Sequence, residues 1–281
     1  MDKKLLKIGI IGTGHVGGTT AFALALQGLV SEMVLIDIIE EKAYTEMLDL
    51  RDCMQNLPYV INFSTNNYKE LIDADIVVFA AGPAEKEIMK DRLDECAAAA
   101  RIVDNVAPML VSSGFSGVVV SVTNPCDVIA HYLQTKTQFP CERVVGSGTI
   151  LDTNRLKNVT GNESVFVIGE HGESQVAVGA NEKDATCAKE SAWRIFKTRG
   201  FTNYGIATSV TKIIKAIRDD TGEKLLISTY DKEADAYYSR FATIGKKGVI
   251  TTQMPDIDEN AKADLSLSIA TIKKHYKKLI V

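Results

Sequence analysis

Residues Gly12, Thr13, Gly14, His15, Val16 and Gly17 constrain the fold of this chain more than any other stretch. They follow a short apolar run, Lys7 to Ile11, and precede an alanine- and leucine-rich segment, Thr19 to Leu29, with helical character. A second apolar run, Met33 to Ile36, comes next. The order is strand, tight turn, helix, strand. In a G-x-G-x-x-G turn the first glycine permits the bend and the second lets the backbone approach a pyrophosphate. The third lets helix and strand pack closely, and the helix N-terminus favours the anion. Glycine turns also serve packing alone, so the weight comes from context. Asp37 ends the second strand, 20 residues beyond Gly17, where a carboxylate accepts hydrogen bonds from both ribose hydroxyls and repels a 2′-phosphate. Gly12, Gly14, Gly17 and Asp37 therefore predict NAD rather than NADP, although methyl-donor and nucleotide-sugar sites use related turns.

Short apolar runs recur at Val60 to Phe63, Ile76 to Ala80, Val118 to Val122 and Val144 to Val145, separated by helical segments at 41–54, 91–113 and 125–137. This alternation predicts an α/β fold with a doubly wound parallel sheet of the Rossmann type over residues 1–146. From residue 147 to 281 the pattern becomes mixed α+β. It reads as a helix Ile150 to Asn158, a strand pair Val165 to Ile168 and Gln175 to Val178, and helices at 186–199, 205–218 and 258–279, with a further strand at Gly248 to Thr252. At 281 residues the chain accommodates these as a cofactor domain and a substrate domain.

Composition narrows the function by exclusion. Thirty-two Lys and Arg against 36 Asp and Glu leave a net charge of −4, which argues against a nucleic-acid backbone as the main partner. No apolar run approaches the roughly 18 residues that cross a bilayer, so no membrane role is expected. Lys3, Lys4 and the Ala23-Leu24-Ala25 triplet imitate a secretory leader, but Lys7 and the glycine turn interrupt its apolar core. The five cysteines, Cys53, Cys96, Cys126, Cys141 and Cys187, are odd in number and contain no CxxC pair. Neither a disulfide framework nor a metal site is indicated, and buried reduced thiols in a cytoplasmic protein are expected.

A second constellation lies beyond the glycine turn. Asp152 and Arg155, three apart on a predicted helix, share one face, and Gly146-Ser147-Gly148 brings that helix next to the cofactor crevice. Further on, Gly169-Glu170-His171-Gly172 sets an imidazole at a strand end between glycines. Pairs three apart are usually solvated surface contacts, and a lone histidine is more often structural than catalytic. Together, however, these groups suit hydride transfer at a hydroxyl or carbonyl carbon. His171 exchanges the proton, Asp152 fixes its tautomer, and Arg155 clamps a carboxylate in a bidentate pair. The combination predicts a 2-hydroxy acid.

The sequence resembles the L-lactate/malate dehydrogenase family along nearly its whole length. The similar stretches are GTGHVGG at 12–18, LID at 35–37, TNPCDV at 123–128, GSGTILDTNR at 146–155, GEHGES at 169–174 and GFTNYGIATS at 200–209. SGFSGVVV at 113–120 with TNPCDVI and GFTNYGIATS looks most like the L-2-hydroxyisocaproate branch, which takes larger 2-oxo acids. The resemblance implies that His171 is the acid–base residue, Asp152 its orienting carboxylate and Arg155 the carboxylate clamp. Arg92, after the loop that starts at Gly82, would polarise the carbonyl. Asn124 would bond substrate oxygen and cofactor, and Thr202 would line the side-chain pocket. Val16, Lys42, Tyr68, Gly82, Pro83, Asn105, Val122 and Ser147 match positions that contact NAD. A cytoplasmic homo-tetramer or homo-dimer is also implied.

Three departures from the family pattern carry information. Family members select substrate with a residue six before the loop arginine, glutamine in lactate enzymes and arginine in malate enzymes. Counting back from Arg92 gives Lys86, and counting forward from Gly82 gives Glu85. Lys86 would favour a second substrate carboxylate, but Glu85 and Glu87 offset it, while Ile88 and Met89 suit an apolar lid; monocarboxylic substrates are expected. Lys157 and Ser164 stand where fructose-bisphosphate-activated enzymes carry arginine and histidine, so that activation is not expected. Finally, segments 158–163 and 179–190 are short for the family, either as trimmed surface loops or because the sequence is joined across further residues.

Overall fold

The computed structural model describes residues 4–83 and 92–280, with side chains in the second stretch from residue 95 onward. Six strands alternate with helices through the first half: β1 (Leu6–Ile11), α1 (His15–Leu26), β2 (Val30–Ile36), α2 (Glu40–Met54), β3 (Asn62–Thr65), β4 (Ile76–Phe79), α3 (Arg92–Ser112), β5 (Val118–Ser121), α4 (Cys126–Thr137) and β6 (Val144–Gly146). The second half holds α5 (Ile150–Thr160), β7 (Phe166–Ile168), β8 (Val176–Val178), α6 (Glu182–Arg199) and α7 (Tyr204–Asp219). It ends with β9 (Glu223–Asp231), β10 (Ala236–Gly245), β11 (Gly248–Gln253) and α8 (Glu259–Lys277).

Strands β3-β2-β1-β4-β5-β6 are parallel and lie in the doubly wound order, with the topological switch between β1 and β4. Apart from the edge strand β3, side chains on both faces of these strands are mostly buried, which explains their continuous apolar runs. Met33 and Leu35 of β2 with Ile76 and Val78 of β4 join one core, covered by α1, α2 and α7. Val34 and Ile36 with Val77 and Phe79 join the opposite core, covered by α3 and α4.

The sheet does not stop at β6. Antiparallel β9, β10 and β11 continue it to nine strands, joined to the parallel part at the single pair Gly146 and Ser228. Strands β9 and β10 are absent from the sequence reading. Leu225 to Thr229 is buried throughout and mixes apolar with hydroxyl residues, so it shows no alternation. The β-branched and aromatic residues bracketing the 232–235 turn were the usable signal. Helix α1 begins at His15 rather than Thr19, α6 begins at Glu182 rather than 186, and β3 is shifted to Asn62–Thr65. The segment Ala23-Leu24-Ala25 lies inside α1, where Leu24 and Ala25 are fully buried. Of the two short segments, 158–163 holds the end of α5, which Gly161 caps with φ +65°, and 179–190 holds Gly179, φ +78°, which leads through Asn181 into the first turns of α6.

The five cysteines are free, but only Cys96 and Cys126 are buried. Cys187 is exposed, corrected from the expectation of buried thiols, because it lies on the mostly polar α6, which buries little beyond Ala188. Among the described residues no helix is long and apolar enough to cross a membrane, and no cluster of three His, Cys, Asp or Glu side chains is placed to hold a metal.

The seam between the parallel and antiparallel parts is tight. A Cβ at Gly148, φ +59°, would stand 2.5 Å from the Ser228 backbone nitrogen and 2.7 Å from Ser239 Oγ. Gly148→Ala is therefore expected to destabilise the protein by about 1–3 kcal/mol, read as a lowered denaturation midpoint at unchanged slope.

Candidate active site and dinucleotide cradle

The glycine turn lies at the C-terminal end of β1, beside the switch point. Gly12 has φ +95°, and a Cβ there would meet Ala81 backbone nitrogen at 2.4 Å. One at Gly17 would stand 1.9 Å from the Gly12 carbonyl oxygen. These two glycines are packing requirements. Gly14 is different: a Cβ there meets only Lys42 Nζ, at 3.7 Å. No side chain caps α1 at Gly14, and no acidic residue occupies its first turn. The cradle thus offers open space, a positive helix end and a lysine ammonium, the donor set a pyrophosphate needs.

Asp37 follows β2 with its carboxylate half-exposed. One oxygen, Oδ2, accepts from Thr13 N at 2.9 Å and Thr13 Oγ1 at 3.2 Å, and Oδ1 accepts from Ile39 N at 3.0 Å. The carboxylate is therefore fixed against the glycine turn rather than free to rotate. Tyr68 lies close by; burial and the Asp37 charge push its phenol up to about 12. Val16 and Val122 are half-buried, Pro83 is half-buried and Gly82 exposed, with open space where a Gly82 Cβ would point. Ser147 is buried, its Oγ 3.6 Å from Cys126 Sγ, and Asn105 is exposed on α3.

The second constellation assembles as the spacing predicts. Asp152 sits in the first turn of α5 and Arg155 one turn later. The helix is tied to β7 by two hydroxyls: Thr149 Oγ1 donates to Val167 O at 2.5 Å, and Thr153 Oγ1 accepts from Val167 N at 3.0 Å. Those bonds fix the distance between Asp152 and the loop that leaves β7. As a result Asp152 Oδ2 lies 2.5 Å from His171 Nδ1, while Oδ1 accepts from Arg155 Nη1 at 3.0 Å. Because an ionised carboxylate only accepts, Nδ1 carries the proton and Nε2 points away. The pair is no solvated surface contact, since Asp152 is only 6% exposed. Burial alone pushes its carboxyl up, but His171 and Arg155 outweigh burial and hold it below the usual carboxylate range.

Sequence reasoning missed what holds His171 itself. Gly169 exchanges two backbone bonds of 2.9 Å with Ser239 of β10, and Glu170 N donates to Ser268 Oγ of α8 at 2.8 Å. His171 N donates to Asp127 Oδ2 of α4 at 2.8 Å. The Glu170 carboxylate folds back to accept from Ser174 N and Oγ. Asp127 was visible only as an acidic residue in the first turn of a helix that follows a strand.

Asn124 stands exposed just beyond β5, joined to Pro125 by a cis peptide, three residues before Asp127. Thr202 lies half-buried in the α6–α7 loop, which docks on α1. There the Phe201 ring stacks on His15 at 3.6 Å, Arg199 lies over Phe201 at 5.0 Å, and Asn203 Nδ2 donates to Thr19 Oγ1 at 2.9 Å. Arg92 opens α3, but its side chain, with Glu85 and Lys86, lies outside the described residues. Lys157, one of the two residues that the family resemblance sets against activator-binding positions, has its Nζ 3.0 Å from a Glu163 carboxylate oxygen.

The cradle makes a direct prediction. Gly14→Ala is expected to weaken NADH binding at least about tenfold at an unchanged melting temperature, because its methyl enters ligand space rather than the core. Gly12→Ala is expected to lower both; fluorescence titration and thermal unfolding separate the two.

Comparison with known proteins identifies relatives of the whole chain. The family model for the lactate/malate dehydrogenase NAD-binding domain matches residues 6–146. An L-lactate dehydrogenase of Halalkalibacterium halodurans is 32% identical over 296 residues, covering 95% of each chain. Among solved structures, the ligand-bound minor L-lactate dehydrogenase from Enterococcus mundtii superposes with a TM-score of 0.91 at 30% identity, over 98% of each chain. The malate dehydrogenase from Archaeoglobus fulgidus in complex with NADH gives a TM-score of 0.90 at 28% identity, over 98% of this chain and 100% of that one. With the cradle, Asp37 and the matched domain in agreement, this chain belongs to the lactate/malate dehydrogenase family and takes NAD as its cofactor.

Proposed function

We propose that this protein is an L-2-hydroxy acid dehydrogenase that interconverts a 2-oxo monocarboxylic acid and its hydroxy acid, with His171 and Asp152 as the acid–base pair. The observation that carries this reading is the buried carboxylate shared between an imidazole and a guanidinium. NADH, when bound, supplies the hydride. Arg155 holds the substrate carboxylate and so fixes the reacting carbon. His171 donates the proton from Nε2 to the carbonyl oxygen in reduction and takes it back in oxidation. Asp152 remains anionic through this cycle, because its carboxyl is held low, and stabilises the imidazolium. Arg92 polarises the carbonyl, Asn124 bonds the substrate oxygen, and Thr202 lines the side-chain pocket, as the family resemblance implies.

The preference for a monocarboxylic substrate of the lactate or hydroxyisocaproate type rests on sequence: Glu85 and Glu87 flank Lys86, and Ile88 and Met89 are apolar. A malate dehydrogenase is the second reading, supported by the likeness to the Archaeoglobus fulgidus enzyme. NADH oxidation with oxaloacetate, pyruvate and 2-oxo-4-methylpentanoate decides between them. Either monocarboxylic acid should be the better substrate, and a large oxaloacetate preference would replace the first reading with the second. A sensor that binds NADH without turnover is the third reading; it would hold if NADH bound and none of the three acids were reduced.

His171→Asn is expected to lower turnover by about 10²- to 10⁴-fold while NADH binding stays within about twofold of wild type. Parallel loss of both would make His171 structural. The pH profile follows from the same chemistry. Reduction needs protonated His171, so its rate falls as pH rises through the imidazole titration; oxidation needs the neutral ring and falls in the opposite direction. The reduction optimum should lie below the oxidation optimum. Asp152→Asn removes the anion that favours imidazolium and should move the fall in reduction to lower pH.

A further inference from the structure

Three successive backbone N–H groups, those of Gly169, Glu170 and His171, are tied to three different elements. The first donates to a carbonyl of β10 and the second to a serine hydroxyl of α8. The third donates to a carboxylate, although a neutral oxygen holds an amide just as well in the other two places. Asp127 is 1% exposed, and enclosing a carboxylate there costs far more than enclosing a hydroxyl. A neutral acceptor would provide the tether without that cost, so the charge requires a separate explanation. The group that changes charge beside it is His171.

We propose that Asp127 is a positioning residue for the acid–base histidine, tethering the His171 main chain and adding a second negative charge, after Asp152, that favours the imidazolium. The inference rests on the acid–base role proposed for His171. Asp127 lies in the first turn of α4, where the helix dipole favours an anion, and Asn124 immediately precedes that turn. One short segment therefore carries both a predicted substrate contact and the tether of the proton donor. The titratable groups facing Asp127 are His171 and Glu170 from the loop after β7 and Cys126 on its own helix. Burial pushes the Cys126 thiol up to about 12, so it contributes no charge near neutrality. Burial, with a smaller push from the Glu170 charge, also raises the Asp127 carboxyl, to about 6, against the neighbouring Ser228 hydroxyl, the His171 main-chain N–H and the His171 charge, so the carboxylate form prevails above pH 7.

The test compares wild type, Asp127→Asn and Asp127→Ala by NMR titration of the His171 imidazole without substrate, alongside NADH binding, melting temperature and the pH profile of 2-oxo acid reduction. His171→Asn assigns the signal among the four histidines. Asp127→Asn keeps an acceptor oxygen and loses the charge. Its imidazole midpoint should fall by about 0.5–1 in pH, with reduction at pH 8 about three- to tenfold slower and the deficit shrinking towards pH 6. NADH binding should stay within about twofold. Asp127→Ala also loses the tether and should be slower again at every pH, with NADH still bound. An unchanged imidazole midpoint in Asp127→Asn would overturn the charge role, and equal turnover in the two variants would overturn the tether. Loss of NADH binding and melting temperature in both would make Asp127 a general structural residue and overturn the proposal. If wild type reduces no 2-oxo acid, the dehydrogenase reading fails on its own, while the imidazole titration still reads the coupling between Asp127 and His171.

Discussion

The second half of this protein is organised around keeping Asp152 ionised in a place that water hardly reaches. A carboxylate at 6% exposure would ordinarily take up a proton, since removing an ion from water costs several kcal/mol even after relaxation. Two partners reverse that preference, the imidazole of His171 on one oxygen and the guanidinium of Arg155 on the other. The same contacts orient both partners. A single buried charge thereby aligns an imidazole and a guanidinium, groups that come from different parts of the chain. The surrounding architecture is arranged to make this alignment rigid: hydroxyls fasten α5 to β7, and β10, α8 and α4 each grip one peptide of the loop that follows.

The cofactor side follows from sheet topology. Gly12, Asp37, Ala81, Asn124 and Ser147 come from widely spaced points in the sequence, yet each lies just beyond the carboxyl end of a parallel strand. In a doubly wound sheet those ends face one crevice. The antiparallel extension through Gly146 and Ser228 adds a second set of supports on the same edge, so that Ser239 of β10 reaches the His171 loop. Both glycines of the Gly146-Ser147-Gly148 segment face Ser228 closely, which explains why a turn needed for the active-site helix also contains no larger side chain.

What could be read from the sequence was what local chemistry dictates. The central parallel strands announce themselves as apolar runs because both faces are covered, and the glycine turn is defined by two close approaches to protein, at Gly12 and Gly17, and by open space at Gly14. The pairing of Asp152 with Arg155 follows from helix geometry, and its link to His171 follows from chemistry. Strands β9 and β10 escaped because hydroxyl residues such as Ser228, Thr229 and Ser239 are buried among apolar ones, erasing the period of two. Asp127 and Glu170 escaped for a different reason. Their partners include main-chain groups 44 residues away and in the next turn of the loop, and nothing in a side-chain pattern records which backbone N–H a carboxylate will meet.

The α6–α7 loop joins the two halves of the site by a layer of rings. Arg199, Phe201 and His15 form one stack, and Asn203 bonds Thr19, so the wall around Thr202 is built directly on the helix that begins the dinucleotide cradle. On the role proposed for Thr202, a change in this loop that admits a different substrate side chain would be transmitted to the helix at the dinucleotide cradle. In evolution, substrate range and cofactor affinity would then be one trait rather than two: a lineage that widens the pocket must accept, or repair elsewhere, a looser hold on its dinucleotide.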